Sequence, residues 1–232
     1  MAEKDSLARL DDDDAAGDYA DLGALFASVV PVLGGAVSQV LSGWSAERRY
    51  QRVREVLRGL VGDLERDKGR VREEYIRSDE FADLLDQTLR RVATERNEEK
   101  RRLYRGVLLG TVTSDETSYD EQLHMLRVID ALQAAHILLL RAILKKPPPN
   151  VDYGGTTGSF METLSGRLGT LSKERISDLV GQLSDHRVIS MGGLRTMMTA
   201  RGAQDMRGTI TPFGERLVSY LKEEGDSHGS TR

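Results

Sequence analysis

The sequence predicts a mainly α fold, with a helical N-terminal hairpin or bundle followed by a compact C-terminal domain that carries a small β-hairpin. Three observations predict it. Apolar residues recur at spacings of three, four and seven along most of the 232 residues. Runs of β-prone residues are confined to Val188 to Ser190 and Gly208 to Thr211. The proline run Pro147-Pro148-Pro149 cuts the helical pattern once, where a ring without an N–H cannot continue a helix.

The elements follow in chain order. Residues 1–21 carry eight acids against two bases, including Asp11 to Asp14, and read as a disordered, self-repelling leader. Leu22 to Ala46 has no charge, is interrupted by Pro31 and Gly34-Gly35, and reads as a buried helix or helical hairpin in preference to a membrane element. From Tyr50 the apolar positions Tyr50, Leu57, Leu64 and Val71 keep a seven-residue beat with Val53 and Leu60 between. That is the seam of a coiled-coil-like helix packed on another helix. Ser78 is placed to cap a second helix whose apolar face is Phe81, Leu85, Leu89 and Val92. The charged stretch Thr94 to Arg102 is expected to continue it into solvent, before Leu103, Val107 and Leu108 return to the core. Thr113 to Ser118 is a loop. Tyr119 to Leu144 reads as one long helix or two abutting ones, with Ile137 to Leu140 fully buried.

Beyond the prolines, "YGGTTGS" (Tyr153 to Ser159) reads as a flexible loop. It lacks the lysine and preceding strand of a phosphate-binding loop. Met161 to Leu168 is a short amphipathic helix ending at Gly169, a residue suited to a left-handed C-cap. Ser172 caps the next helix, Lys173 to His186, which buries Ile176, Leu179, Val180 and Leu183 and exposes Lys173, Glu174, Ser177, Asp178 and Gln182. Val188 and Ile189 form a strand, and a Gly-rich excursion from Met191 to Gly208 leads to the second, Thr209-Ile210-Thr211. Pro212 opens a last helix with Phe213, Leu217, Val218 and Leu221 on one face.

The phrases "LSKERISDLVGQLSDHRVIS" and "ITPFGERLVSYL", in the order helix, turn, helix, strand, loop, strand, helix, resemble the winged helix-turn-helix superfamily of bacterial regulators over about residues 119–224. The resemblance implies that the first phrase supplies the recognition helix and a strand, and that the second closes the wing. The N-terminal phrase "PVLGGAVSQVLSGWSAERRYQR" is faintly similar to uncharacterised bacterial helical proteins. The domain boundaries expected on this basis are 1–21 leader, 22–118 helical domain, 119–224 winged helix and 225–232 tail.

Composition excludes several chemistries. There are no cysteines, so disulfides, Cys-ligated metals and thiol nucleophiles are absent, and a cytoplasmic location is expected. The four histidines, His124, His136, His186 and His228, have no metal-ligand spacing, and no serine sits in a nucleophile elbow. A non-enzymatic protein without cofactor or metal is therefore expected.

The favoured function is a DNA-binding regulator with a helical half that dimerises or senses. Lys173, Ser177 and Gln182 would read bases, and Arg187, Arg195, Arg201 and Arg207 would neutralise phosphates or enter a minor groove. Double-stranded DNA and a second copy of the chain are the expected partners. The alternatives are a protein-interaction and oligomerisation module, and a membrane-associated effector using Leu22 to Ala46. Glu174 and Asp178 on the recognition helix weigh toward the first alternative.

Overall fold

The computed structural model describes residues 33–35, 37, 47–66, 68–114, 118–146, 157–190, 198–199 and 203–221. The chain divides into two compact units after Asp130. The acidic leader and the tail lie outside the described residues, as does most of Leu22 to Ala46. Within that segment residues 33–35 and 37 are helical, and Leu33 and Val37 are fully buried. No single described helix is long and apolar enough to cross a membrane.

In the first unit the seven-residue beat from Tyr50 to Leu64 forms α1, Glu47–Arg66, whose Val53, Leu57, Leu60 and Leu64 are buried, whereas Val71, the last expected member, lies beyond the helix and is half-buried. A 3-10 turn at Lys68–Arg70 and the short α2, Glu73–Ile76, lead to α3, Asp79–Thr94. Ser78 Oγ accepts the Phe81 N–H at 3.2 Å, satisfying a first-turn donor of α3. Phe81, Leu85, Leu89 and Val92 are all buried, as their spacing requires.

The expected continuation of α3 through Arg102 is wrong. The chain breaks at 95–97, and a separate helix, α4, runs Glu98–Thr113. Asn97 starts it, its side chain accepting the Lys100 N–H at 3.2 Å. Within that charged stretch Arg96 and Glu98 are exposed as expected, but Lys100 turns inward. Lys100, 8% exposed, pairs with Glu95 at 3.0 Å and donates to the Asp130 carbonyl oxygen at 3.2 Å. Burial works to raise the Glu95 carboxyl, but the Asn97 N–H and the Lys100 ammonium outweigh it and hold that group below the usual range. The expected two-helix hairpin is therefore a three-helix assembly. Helices α1, α3 and α4 pack on one another, so the heptad seam is filled by the chain's own helices.

Tyr119 to Leu144 is two helices, α5 (Tyr119–Ala131) and α6 (Ala134–Leu144), interrupted at Leu132 and Gln133. Nearly all of α5 falls in the first unit, whereas the sequence grouped it with the C-terminal domain. Asp130 explains the grouping. Its carboxylate accepts Tyr104 Oη at 2.6 Å and Arg91 Nε at 2.8 Å, and its carbonyl accepts Lys100. Removal from water, with Asp130 beside it, pushes the Tyr104 hydroxyl far above its ordinary range.

The second unit is built on α6, α7 (Phe160–Arg167) and α8 (Lys173–Asp185), which pack mutually. Leu138, expected in the core, is 51% exposed. His136, Ile137, Leu139, Leu140 and Ile143 take the inward stripe, and Leu138 points away from it. Ser159 and Ser172 cap α7 and α8, accepting from the Glu162 and Arg175 N–H groups at 3.2 Å each.

Strand is sparse and partly misplaced by the sequence reading. Neither expected strand forms: Ile189 and Ile210 meet only in one isolated antiparallel bridge, and Arg207–Thr209 is a 3-10 turn. Two short strands lie elsewhere, β1 (Thr157–Gly158) pairing antiparallel with β2 (Met198–Thr199). Half of "TTGS", read as loop, thus belongs to a ladder. Helix α9, Pro212–Ser219, starts where Thr211 Oγ1 accepts the Gly214 N–H at 2.9 Å, with Pro212 in its first turn.

Candidate nucleic-acid interface

Helix α8 buries Ile176, Leu179, Val180 and Leu183 and exposes Lys173, Glu174, Ser177, Asp178, Gln182 and Asp185. The inward stripe packs on α6 and α7, so the outward face is presented from a three-helix frame.

The end of α8 is unusual. Arg187 has φ of 57°, the one left-handed non-glycine residue among those described. His186 is the C-cap, the Arg187 N–H donates to the Ser184 carbonyl at 2.8 Å, and the Val188 N–H donates to the Leu183 carbonyl at 2.9 Å. These two bonds are a Schellman motif, which normally places glycine at the left-handed position. The sequence assigned that role to Gly169 after α7, yet Gly169 has no left-handed φ, and α7 ends at Arg167 with Leu168 as its C-cap. An arginine here costs about 1–2 kcal/mol of backbone strain and holds an exposed guanidinium at the end of α8.

The sequence-predicted residues separate into three groups. Lys173, Ser177 and Arg187 are exposed around α8. Arg195 and Arg201 lie outside the described residues. Gln182 and Arg207 are exposed but engaged in structure. The Gln182 side-chain oxygen meets His136 Nε2 at 2.8 Å. Arg207 Nε and Nη2 donate to the Leu144 carbonyl at 3.2 and 3.0 Å, and Arg167 Nη1 donates to the Ala142 and Lys145 carbonyls at 2.6 and 3.2 Å. The two guanidiniums complete the C-terminal turn of α6, where the Lys145 N–H serves only the Arg141 carbonyl. Arg207 therefore caps this helix end while its side chain stays on the exposed surface.

Sequence reasoning missed His136. It is 2% exposed, its Nδ1 accepts the Gln133 N–H at 2.9 Å, and Arg175 Nη2 donates to the Gln133 side-chain oxygen at 2.6 Å. Burial, joined by the nearby Arg175 and His186, holds His136 below the usual imidazole range against the opposing bond to Gln182. The signal was the apolar run around it, which marks an inward histidine without naming its partners.

Charge follows from the unit boundary. Residues 131–232 hold thirteen bases against ten acids, a net of +3, because the acid-rich Asp120, Glu121 and Asp130 fall in the first unit. In that first unit a cleft of about 180 Å³ is lined by Glu55, Val56, Glu98, Arg101, Arg102 and Arg105. Its arginines are paired, Arg101 with Glu55 at 2.9 Å, Arg102 with Glu98 at 2.6 Å and Arg105 with Asp63 at 3.0 Å. Among the described residues, no group of three His, Asp or Glu side chains is placed to hold a metal ion. Comparison with protein-family models, with curated proteins and with solved structures finds no match.

Proposed function

We propose that the chain is a non-enzymatic helix-turn-helix protein whose second unit binds duplex DNA through the outer face of α8. The observation that carries this reading is Arg187, a strained, exposed arginine at a position that favours glycine, just past the C-terminal end of the helix whose outward face exposes Lys173 and Ser177. Arg195 and Arg201 are proposed as further phosphate contacts. Winged-helix topology, with the bridge at Ile189 and Ile210 as the base of the wing, belongs to this proposal.

The test is fluorescence anisotropy of the full chain with labelled duplex DNA at low and at physiological salt. Binding is expected to weaken steeply with salt. Arg187→Ala is expected to weaken binding to all sequences alike and to reduce the salt slope by about one. Salt-independent or absent binding would overturn the reading.

A second reading is docking to a basic protein segment, favoured by Glu174, Asp178 and Asp185 on the outward side of α8. Charge reversal at Glu174 and Asp178 separates the two. It strengthens DNA binding under the first reading and abolishes the complex under the second.

A further inference from the structure

The buried histidine imposes a direction on the exposed face of α8. Gln133 offers a backbone N–H to His136 Nδ1 at 2.9 Å, so Nδ1 is an acceptor and carries no hydrogen. In the neutral ring the hydrogen then sits on Nε2. It points at the Gln182 side-chain oxygen, 2.8 Å away. The order of donors is fixed along the whole chain: backbone N–H to Nδ1, then Nε2–H to Oε1. Gln133 is itself held, because Arg175 donates to its side-chain oxygen at 2.6 Å. A free glutamine at the surface turns its amide either way, offering donor or acceptor. Gln182 cannot turn without setting its NH2 against the Nε2–H.

We infer that His136 is a positioning residue which locks Gln182 as a hydrogen-bond donor on the outer face of α8, selecting an acceptor-only edge such as the O6 and N7 of guanine. This rests on the proposal that this face enters a DNA groove. A freely turning glutamine is suited to adenine, where it accepts from N6 and donates to N7. With its oxygen committed to His136, Gln182 offers two N–H groups instead, and guanine presents two acceptors in the major groove. The burial of His136 supports the arrangement by keeping the ring neutral.

Two measurements test it. The first needs no DNA. Long-range ¹H–¹⁵N correlation spectra of the full chain at neutral pH report the tautomer of each histidine ring. His136 is expected as the Nε2–H form, and an Nδ1–H or doubly protonated ring would overturn the inference. The second is selection from a pool of random-sequence duplexes by the wild type and by Gln182→Glu. The glutamate still accepts from His136 but shows the partner only acceptors. Preference at one base pair is expected to move from guanine to cytosine, with about tenfold or greater loss on the wild-type site. If both proteins select the same base, the inference fails while DNA binding stands. If no duplex is bound with salt sensitivity, the DNA reading fails and guanine selection with it, whatever the tautomer. Should Gln182→Glu fold poorly, Gln182→Met, which keeps the volume and drops the donor, is expected to lose guanine preference without gaining cytosine.

Discussion

Replacing Gly214 with alanine reverses the usual sign of that substitution. In a helix interior, alanine is favoured over glycine by about 1 kcal/mol. Gly214 lies in the first turn of α9, where an added Cβ falls 2.0 Å from the Val188 carbonyl oxygen and 2.9 Å from Ile210 Cγ2. Contact at van der Waals distance requires the two backbones to separate by more than an ångström. The Val188 carbonyl cannot yield cheaply. It accepts the Thr211 N–H at 3.1 Å and Thr211 Oγ1 at 3.2 Å, and its own N–H is held by Leu183 at 2.9 Å. Overpacking of this kind costs about 3 kcal/mol or more, so the net loss is about 2 kcal/mol after the propensity gain. For a unit of this size that is a fall in Tm of roughly 10 °C. The assay is thermal denaturation followed by far-UV circular dichroism, with amide exchange on 186–190 and α9 to localise the effect. Gly181→Ala, in α8 with nothing within 4 Å of its added Cβ, is the control and is expected to stabilise by up to about 1 kcal/mol. If Gly214→Ala proved as stable as the wild type, the close packing of α9 on Val188 would be refuted.

Other perturbations have equally definite outcomes. Arg187→Gly relieves the left-handed strain and is expected to raise stability by about 1 kcal/mol in urea titration, and a destabilised variant would contradict the Schellman geometry. His136 has a folded-state pKa below its ordinary 6.5, so the unfolded chain binds the proton more readily. Stability is therefore full above that ordinary value and falls as pH drops through 6.5 toward the depressed folded value, with Arg175 and His186 as the charged neighbours. His136→Asn is expected to flatten that part of the urea midpoint profile, and an unchanged slope would exclude His136 as its source. Leu33 is fully buried, so Leu33→Arg is expected to cost several kcal/mol and melt the first unit, and a cooperative transition at the wild-type midpoint would show that the site is not core.

Local signals were legible in the sequence wherever the physics was local. Ser78, Ser159 and Ser172 cap helices through bonds three residues long, and two of these could be read from position alone. The apolar stripe of α8 was fully legible because period and burial coincide. Charge misled the reading where partners were distant. Lys100 looked solvent-exposed in its run of charges, yet it lies inside because Asp130, thirty residues on, receives it. The capping bond from Arg207 was not legible either, because nothing local reveals that Leu144, 63 residues earlier, supplies its acceptor. The His136 and Gln182 pair, 46 residues apart, was invisible for the same reason. Arg187 could not have been identified as the left-handed residue, since arginine carries no signal for that conformation.

The two arginines at the end of α6 also set an order of events. Arg167 follows its acceptor at Ala142 by 25 residues and Arg207 follows Leu144 by 63, so the last turn of α6 cannot be completed as the helix is made. A ribosome has to release most of the second unit before those carbonyls are satisfied. Until then the Ala142 and Leu144 carbonyls lack these partners, and supplying them requires long-range loop closure instead of local propagation. Completion of α6 thus depends on two later segments of the unit, while its longest described helix, α8, contributes neither cap.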